Sequence, residues 1–209
     1  MLNAIINRAT AIVLRRKMDT YRRYPPSKTV LLLVDVQPAF LEEQKAVRAR
    51  LSGAVTLARQ AGIPIAYSSF GGPKPAYDLA PGVAGLFSWL DKASDSSDLA
   101  DLAAQPADTV LPVRQSLSAF HDGALTAHLS TAGIEHVVMA GAYADLSIES
   151  TARHSSELGY HTTVLSDCCG ATSDGGHHAT MAVTLPRMVH LVTTSNQWRK
   201  DVQQSSDKA

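Results

Sequence analysis

Three parts of the sequence carry polar residues of the kinds that do chemistry, each at or just after the end of an apolar run: Asp35, Arg114 and the segment Gly141 to Ser147. A carboxylate transfers protons, and a guanidinium binds an anion through two parallel hydrogen bonds. A serine hydroxyl attacks a substrate only when a base activates it. The pattern predicts a small-molecule pocket at these three places.

Six apolar segments predict the β-strands that would position these residues, and they cover residues 29–36, 64–68, 109–113, 135–140, 161–165 and 188–193. Segments with helical character lie between them, at about 43–61, 83–92, 123–132, 145–158 and 176–185. Such alternation indicates a parallel sheet with right-handed crossovers. We therefore predict a three-layer, doubly wound α/β fold with helices on both faces, whose ligand crevice lies beyond the carboxyl ends of the strands.

The two ends of the chain differ from this predicted domain. Residues 1–26 predict an N-terminal helical extension, because apolar residues recur there at helical spacing before the break at Pro25 and Pro26. We expect that helix to pack on the domain or on a partner subunit rather than on a membrane surface. Residues 27–197 form the predicted domain, and residues 198–209 are expected to be a polar tail that is disordered after a short helix.

The composition argues against several classes of partner. Lys and Arg together number 19, as do Asp and Glu, so the formal net charge is zero and no long-range field attracts nucleic acid or an anionic membrane. No run of 18 apolar residues predicts a membrane span. Cys168 and Cys169 are adjacent, which suits neither an ordinary structural disulfide nor a zinc site. We therefore expect a cytoplasmic protein.

Four longer segments resemble a known family when they are taken in order: LLLVDVQPAF, VRQSLSAFHDGAL, VVMAGAYADLSIESTARHSSELGY and SDCCGATSDGGH. They are similar to the isochorismatase-like hydrolases, which include nicotinamidases and other amidases, over about residues 29–193. The resemblance implies a small-molecule substrate and, together with the apolar N-terminal helix, a homo-oligomer. Some nicotinamidases hold a metal through His residues after the second strand, but no His lies between Tyr67 and Val113, so we expect neither metal nor cofactor.

The resemblance also implies roles for the three positions. In the cysteine-hydrolase branch an Asp acts as base, a Lys supports it and a Cys attacks; Asp35, Arg114 and Ser147 stand at these positions. An alcohol ionises far less readily than a thiol, and a permanently charged guanidinium cannot transfer a proton. We interpret Asp35 as the proton-transfer residue, Arg114 as an anion anchor and Ser147 as a pocket residue. Two alternatives stay open: Ser147 as a nucleophile, and Arg114 as a structural partner of Asp35.

Another branch of the family hydrolyses a vinyl ether, with the Asp as proton donor and no covalent intermediate. The resemblance further implies a cis peptide bond between Ala142 and Tyr143 and nearby backbone amides that form an oxyanion hole. We expect the substrate pocket to be lined by Phe40, Phe70, Ala142 and Tyr143. Asp145 could instead serve as a helix N-cap, and His177 as a structural residue.

Two functions are therefore open. The first is hydrolysis of a vinyl ether or C–N bond in a small, carboxylate-bearing molecule by means of Asp35. The second is a catalytically inactive family member that binds a small molecule or acts as a scaffold, because a fold can survive the loss of its chemistry.

Overall fold

A six-stranded sheet forms the centre of the computed structural model, which describes residues 20–41, 44–71, 79–93 and 102–206. The strands are β1 (Thr29–Val34), β2 (Ile65–Ser68), β3 (Thr109–Val110), β4 (His136–Gly141), β5 (His161–Cys169) and β6 (Leu191–Thr193). Every neighbouring pair is parallel, and their order is β3-β2-β1-β4-β5-β6. The predicted α/β class with a parallel six-stranded sheet is confirmed. Most of the predicted N-terminal extension, residues 1–19, lies outside the described residues.

Seven α-helices flank the sheet within the described ranges: α1 (Pro38–Leu41), α2 (Lys45–Gln60), α3 (Pro81–Ala93), α4 (Ala124–Thr131), α5 (Glu149–Glu157), α6 (Asp174–His178) and α7 (Ser195–Ser206). Short 3-10 turns cover Pro26–Lys28 and Leu185–Arg187, and π-helical turns cover Ala144–Ile148 and Ala179–Thr184. The π-helical turn Ala144–Ile148 runs directly into α5, and Ala179–Thr184 continues α6.

Strand β1 is buried along its whole length, and its side chains alternate between two cores. Leu31 and Leu33 belong to a core that includes residues of α2 and α7, whereas Val30 and Leu32 belong to one that includes residues of α4 and α5. Successive side chains of a strand point to opposite faces of the sheet, so a strand covered on both faces reads as an unbroken apolar run. The apolar run that predicted β1 is therefore explained by the helices that cover both faces of the sheet.

The ends of several elements differ from the prediction. Strand β3 has two residues rather than five, and Val113 beyond it is 51% exposed, which is typical of a short edge strand. Strand β6 starts at Leu191 instead of residue 188, because the preceding 3-10 turn continues through hydrogen bonds from the amides of Met188 and Val189 to the Leu185 carbonyl.

The C-terminal segment differs most. Residues 198–206, predicted as part of a polar tail that begins with a short helix, form most of α7, because Trp198 and Val202 are 0% and 3% exposed in the core. The predicted boundary at residue 197 therefore falls inside a packed helix.

The chain connects the strands in opposite directions on the two sides of β1 and β4, which places the switch point of the sheet between them. Val34, the last residue of β1, pairs with Ser68 of β2 and with Gly141 of β4. The ends of three strands therefore meet where Asp35 leaves the sheet.

Gly141 is the position where a side chain would disturb this meeting point most. A Cβ built there would lie 1.8 Å from the Val34 carbonyl oxygen, and the residue has φ +138°, which side chains disfavour. We expect Gly141→Ala to lower the free energy of unfolding by about 3 kcal/mol or more in chemical denaturation. Gly85→Ala is the control. No described atom outside the backbone of its own helix and its two chain neighbours lies within 4 Å of a Cβ built there, so this substitution within α3 should be neutral or stabilising, and equal losses would contradict this explanation.

Three histidines lie side by side near the amino ends of β4, β5 and β6: His136, His161 and His190. The His136 and His161 rings are 4.6 Å apart, and those of His161 and His190 are 5.1 Å apart. Burial, reinforced by His161, lowers the pKa of His136 to about 4, and burial also lowers that of His190. Protonation therefore favours the unfolded chain.

This depressed pKa predicts a dependence of stability on pH. The contribution of His136 is fully present above its unfolded value near 6.5 and is lost as the pH falls through about 4. We expect about 2 kcal/mol of unfolding free energy to disappear across that window, as measured by denaturation at several pH values. His136→Asn should flatten the profile, and an unchanged slope in this variant would contradict the assignment.

Candidate active site

Asp35 lies directly beyond β1, at the switch point of the sheet. Its backbone amide donates a hydrogen bond to the Ser68 carbonyl at 2.9 Å, and the residue is 1% exposed. Its φ of +51° lies in the left-handed region, which Asp and Asn tolerate better than most residues. The backbone turns sharply here and places a carboxylate inside the protein.

Arg114 forms a bidentate ion pair with this carboxylate. The Nη1 atom donates to Oδ1 at 2.8 Å and Nη2 donates to Oδ2 at 3.2 Å, with Arg114 only 4% exposed. Arg114 is held in place by a parallel bridge to Phe70 beyond the ends of β2 and β3. Pairing with Asp35, one of the two alternatives left open for Arg114, is thus present in the structure, and both Asp35 oxygens accept hydrogen bonds as an ionised carboxylate does.

Ser147 lies in the π-helical turn Ala144–Ile148, after the end of β4. The Ala142 amide donates to the Val34 carbonyl at 2.9 Å, and the peptide bond between Ala142 and Tyr143 is cis, as the family resemblance implied. Ser147 is 1% exposed, and its Oγ has no hydrogen-bond partner among the described residues. No described side chain hydrogen-bonds to Ser147 Oγ as an activating base would.

The four predicted pocket-lining residues belong to one buried cluster: Phe40, Phe70, Ala142 and Tyr143. The Phe40 and Tyr143 rings meet edge to face at 5.6 Å. Burial, followed by the nearby Asp145 carboxylate, raises the pKa of Tyr143, so its hydroxyl keeps its proton near neutral pH. The structure thus places Phe40 against Tyr143, with Phe70 and Ala142 in the same core, and the contact of all four with substrate stays a prediction.

Two further residues of the site were not singled out from the sequence. The Gln37 side chain donates to the Phe70 carbonyl at 2.8 Å and accepts from the Phe70 amide at 3.2 Å, which fixes the segment after β2 that bridges to Arg114. Trp89 on α3 lies 5.6 Å from the Tyr143 ring and is 46% exposed. Gln37 follows Asp35 by only two residues, and this closeness in sequence could have indicated that it belongs to the site. Nothing in the spacing of residues in α3 indicated that Trp89 would contact Tyr143.

Two nearby polar residues have structural partners. Asp145 is not the helix N-cap, because its carboxylate accepts hydrogen bonds from the amide and hydroxyl of Thr172 instead. His177 bonds to the Ser166 carbonyl at 2.9 Å, which agrees with the structural role considered for it. Asp145 therefore joins the segment that carries Ser147 to the segment after β5.

The two cysteines do not replace the thiol of the cysteine-hydrolase branch. Burial, followed by the Asp167 charge, raises the pKa of Cys168 to about 12. Burial raises the pKa of Cys169 well above its usual value, with Cys168 as the next cause. Neither sulfur is therefore a thiolate at neutral pH, the form that reacts.

No group of three or more His, Cys, Asp or Glu in the described ranges could hold a metal ion. Within the same ranges, every helix is too short or too polar to cross a membrane.

Comparison with known proteins defines the class. Residues 29–196 match the Isochorismatase domain, so the chain belongs to the isochorismatase family. Nicotinamidase 3 of Arabidopsis thaliana is 26% identical over 176 residues, which cover 79% of this chain and 85% of the relative. The uncharacterized isochorismatase family protein YwoC of Bacillus subtilis is 32% identical over 94 residues, or 45% of this chain and about half (49%) of the relative.

Solved structures share the fold. A cysteine hydrolase from Pseudomonas syringae superposes with a TM-score of 0.75 at 19% identity, over 88% of this chain and 97% of that one. N-carbamoylsarcosine amidase from Thermoplasma acidophilum superposes with a TM-score of 0.63 at 20% identity, over 81% and 97% of the two chains.

Proposed function

We propose that this isochorismatase-family protein hydrolyses a C–N bond in a small, carboxylate-bearing molecule, with Asp35 as the group that accepts the proton. The observation that carries the proposal is a pair of buried donors without partners among the described residues, Arg114 Nε and Ser147 Oγ. An unpartnered buried donor costs about 1 to 3 kcal/mol, and oxygen acceptors on a ligand would remove that cost. A carboxylate or a carbonyl oxygen supplies such acceptors.

The ion pair between Asp35 and Arg114 favours C–N hydrolysis over vinyl ether hydrolysis. A vinyl ether needs a protonated carboxyl as acid, whereas both Asp35 oxygens accept hydrogen bonds from Arg114. Each carboxylate oxygen has two lone-pair sites, so Asp35 can still accept a proton from water. Water then attacks the carbonyl carbon, the C–N bond breaks, and the proton passes from Asp35 to the leaving nitrogen. The relative named as a nicotinamidase supports this choice of bond.

In this scheme Ser147 donates a hydrogen bond and does not attack. An alcohol needs a strong base in contact with it, and no described side chain hydrogen-bonds to Ser147 Oγ. Arg114 holds Asp35 through two of its nitrogens and keeps Nε for the substrate anion. The role of Arg114 as an anion anchor thus depends on that one donor.

One observation favours a non-catalytic binding protein instead. Asp35, Arg114 and Ser147 are each less than 5% exposed, and the guanidinium contacts both carboxylate oxygens. A pair held this firmly would suit a structural role. In that case the fold and pocket persist without turnover.

Hydrolysis of succinamate, which carries both an amide and a carboxylate, separates the two functions. We expect ammonia release from succinamate and slower release from butyramide, its matched analogue without the carboxylate. Proton NMR should show succinate as the organic product. Saturable binding of succinamate without ammonia release would instead favour the binding protein.

Cytoplasmic location and assembly into a homo-oligomer stay predictions.

A further inference from the structure

A cavity opens beside the carboxyl end of β5. Its volume is about 500 Å³, and its lining includes Arg50 and Val47 of α2, Asp167 and Cys169 of β5, and Asp174 and His177 of α6. Asp35, Arg114 and Ser147 are not part of this lining. This volume is within the range of small-molecule sites.

Arg50 gives the cavity a cationic group. Both oxygens of Asp167 already accept hydrogen bonds from Ser195 at the start of α7, at 2.7 Å from its amide and 2.9 Å from its hydroxyl. The Arg50 Nε forms an ion pair with Asp167 at 3.7 Å, a distance that is too long for a hydrogen bond. Among the described residues no acceptor hydrogen-bonds to Arg50, so its donors are available to an anionic group of a ligand.

His177 and Asp174 give the cavity acceptors. The Nε2 atom of His177 bonds to the Ser166 carbonyl at 2.9 Å, and a carbonyl only accepts, so Nε2 carries the proton. In a neutral imidazole the other nitrogen, Nδ1, is then an acceptor. Asp174 adds a carboxylate on the same helix. An ammonium group, which only donates, matches both.

We propose that this cavity binds a small amino acid in its zwitterionic form. Arg50 binds the ligand carboxylate, Asp174 and His177 Nδ1 accept from the ligand ammonium, and Val47 and Cys169 pack against its side chain. Asp167 and Asp174 would repel a ligand that carries only a negative charge, and Arg50 would repel a ligand that carries only a positive charge. The mixed charge of the lining therefore selects a ligand that carries both signs.

Calorimetric titration with L-leucine tests the proposal. Isocaproate is leucine without the amino group, and isoamylamine is leucine without the carboxyl group, so each lacks one of the two charges. We expect saturable binding of L-leucine in the millimolar range or tighter, and at least about tenfold weaker binding of both analogues. Absence of saturable leucine binding, or binding of either analogue as tight as that of leucine, would overturn the proposal.

Variants then locate the site. Arg50→Gln and Asp174→Asn should each weaken leucine binding by about tenfold or more, and both positions are exposed enough to leave the fold intact. Lys45→Gln removes a charge from an exposed position of the same helix outside the cavity lining and should change nothing. Loss of binding of the same size in Lys45→Gln, or unchanged binding in both cavity variants, would place the ligand elsewhere.

Discussion

Replacing Arg114 by methionine is expected to lower the free energy of unfolding by about 3 to 5 kcal/mol. The guanidinium is 3% exposed and donates to both Asp35 oxygens, so its removal leaves an uncompensated carboxylate inside the protein. Methionine keeps the apolar stem of the side chain and its approximate length. Denaturant titration followed by circular dichroism measures the loss.

Two controls separate this effect from ordinary packing. Lys28→Met breaks the exposed Lys28–Glu135 pair, where the distance is 2.6 Å but both side chains are at least half exposed, and should change the free energy of unfolding far less than Arg114→Met does. The double variant Asp35→Asn with Arg114→Met removes both buried charges and should be more stable than Arg114→Met alone. If Arg114→Met behaves like Lys28→Met, the buried pair does not stabilise the site as described.

Replacing Asp35 by asparagine is expected to lower kcat for succinamate about a hundredfold to ten-thousandfold, because an amide cannot accept the proton. Asparagine suits the test because it has nearly the same shape and tolerates the φ of +51° at this position. Initial rates of ammonia release measure the effect, with circular dichroism to show that the variant is folded. A folded Asp35→Asn variant with the wild-type rate would refute the role of Asp35.

The sequence predicted the strands because buried parallel strands are continuous apolar runs, and β1 is the clearest case. It predicted a short helix near the end of the chain, but neither the length of that helix nor its packing against the core. Ser195–Ser206 contains many polar residues, yet Trp198 and Val202 recur four residues apart and pack against the core. Two apolar residues within a polar helix are a weak signal, and only tertiary packing shows that the helix is ordered.

Part of the candidate site could be predicted from the sequence. Asp35, Arg114 and Ser147 all follow the carboxyl ends of strands, and parallel strands bring those ends to one edge of the sheet. Whether Arg114 would contact Asp35 or a ligand could not be predicted, because that depends on the orientation of a long side chain. The position of Trp89 against Tyr143 depends on how α3 packs, which spacing along the chain does not specify.

The most direct test of Asp35 as the catalytic base compares Ser147→Ala with Asp35→Asn for succinamate hydrolysis, together with mass spectrometry of the protein quenched during turnover. We expect Ser147→Ala to retain activity within about tenfold of wild type, because only one hydrogen bond is lost, and Asp35→Asn to lose activity. We also expect no covalent adduct on the wild-type chain. A Ser147→Ala variant as inactive as Asp35→Asn, with an acyl adduct on the wild-type chain that the variant lacks, would show instead that Ser147 is the nucleophile.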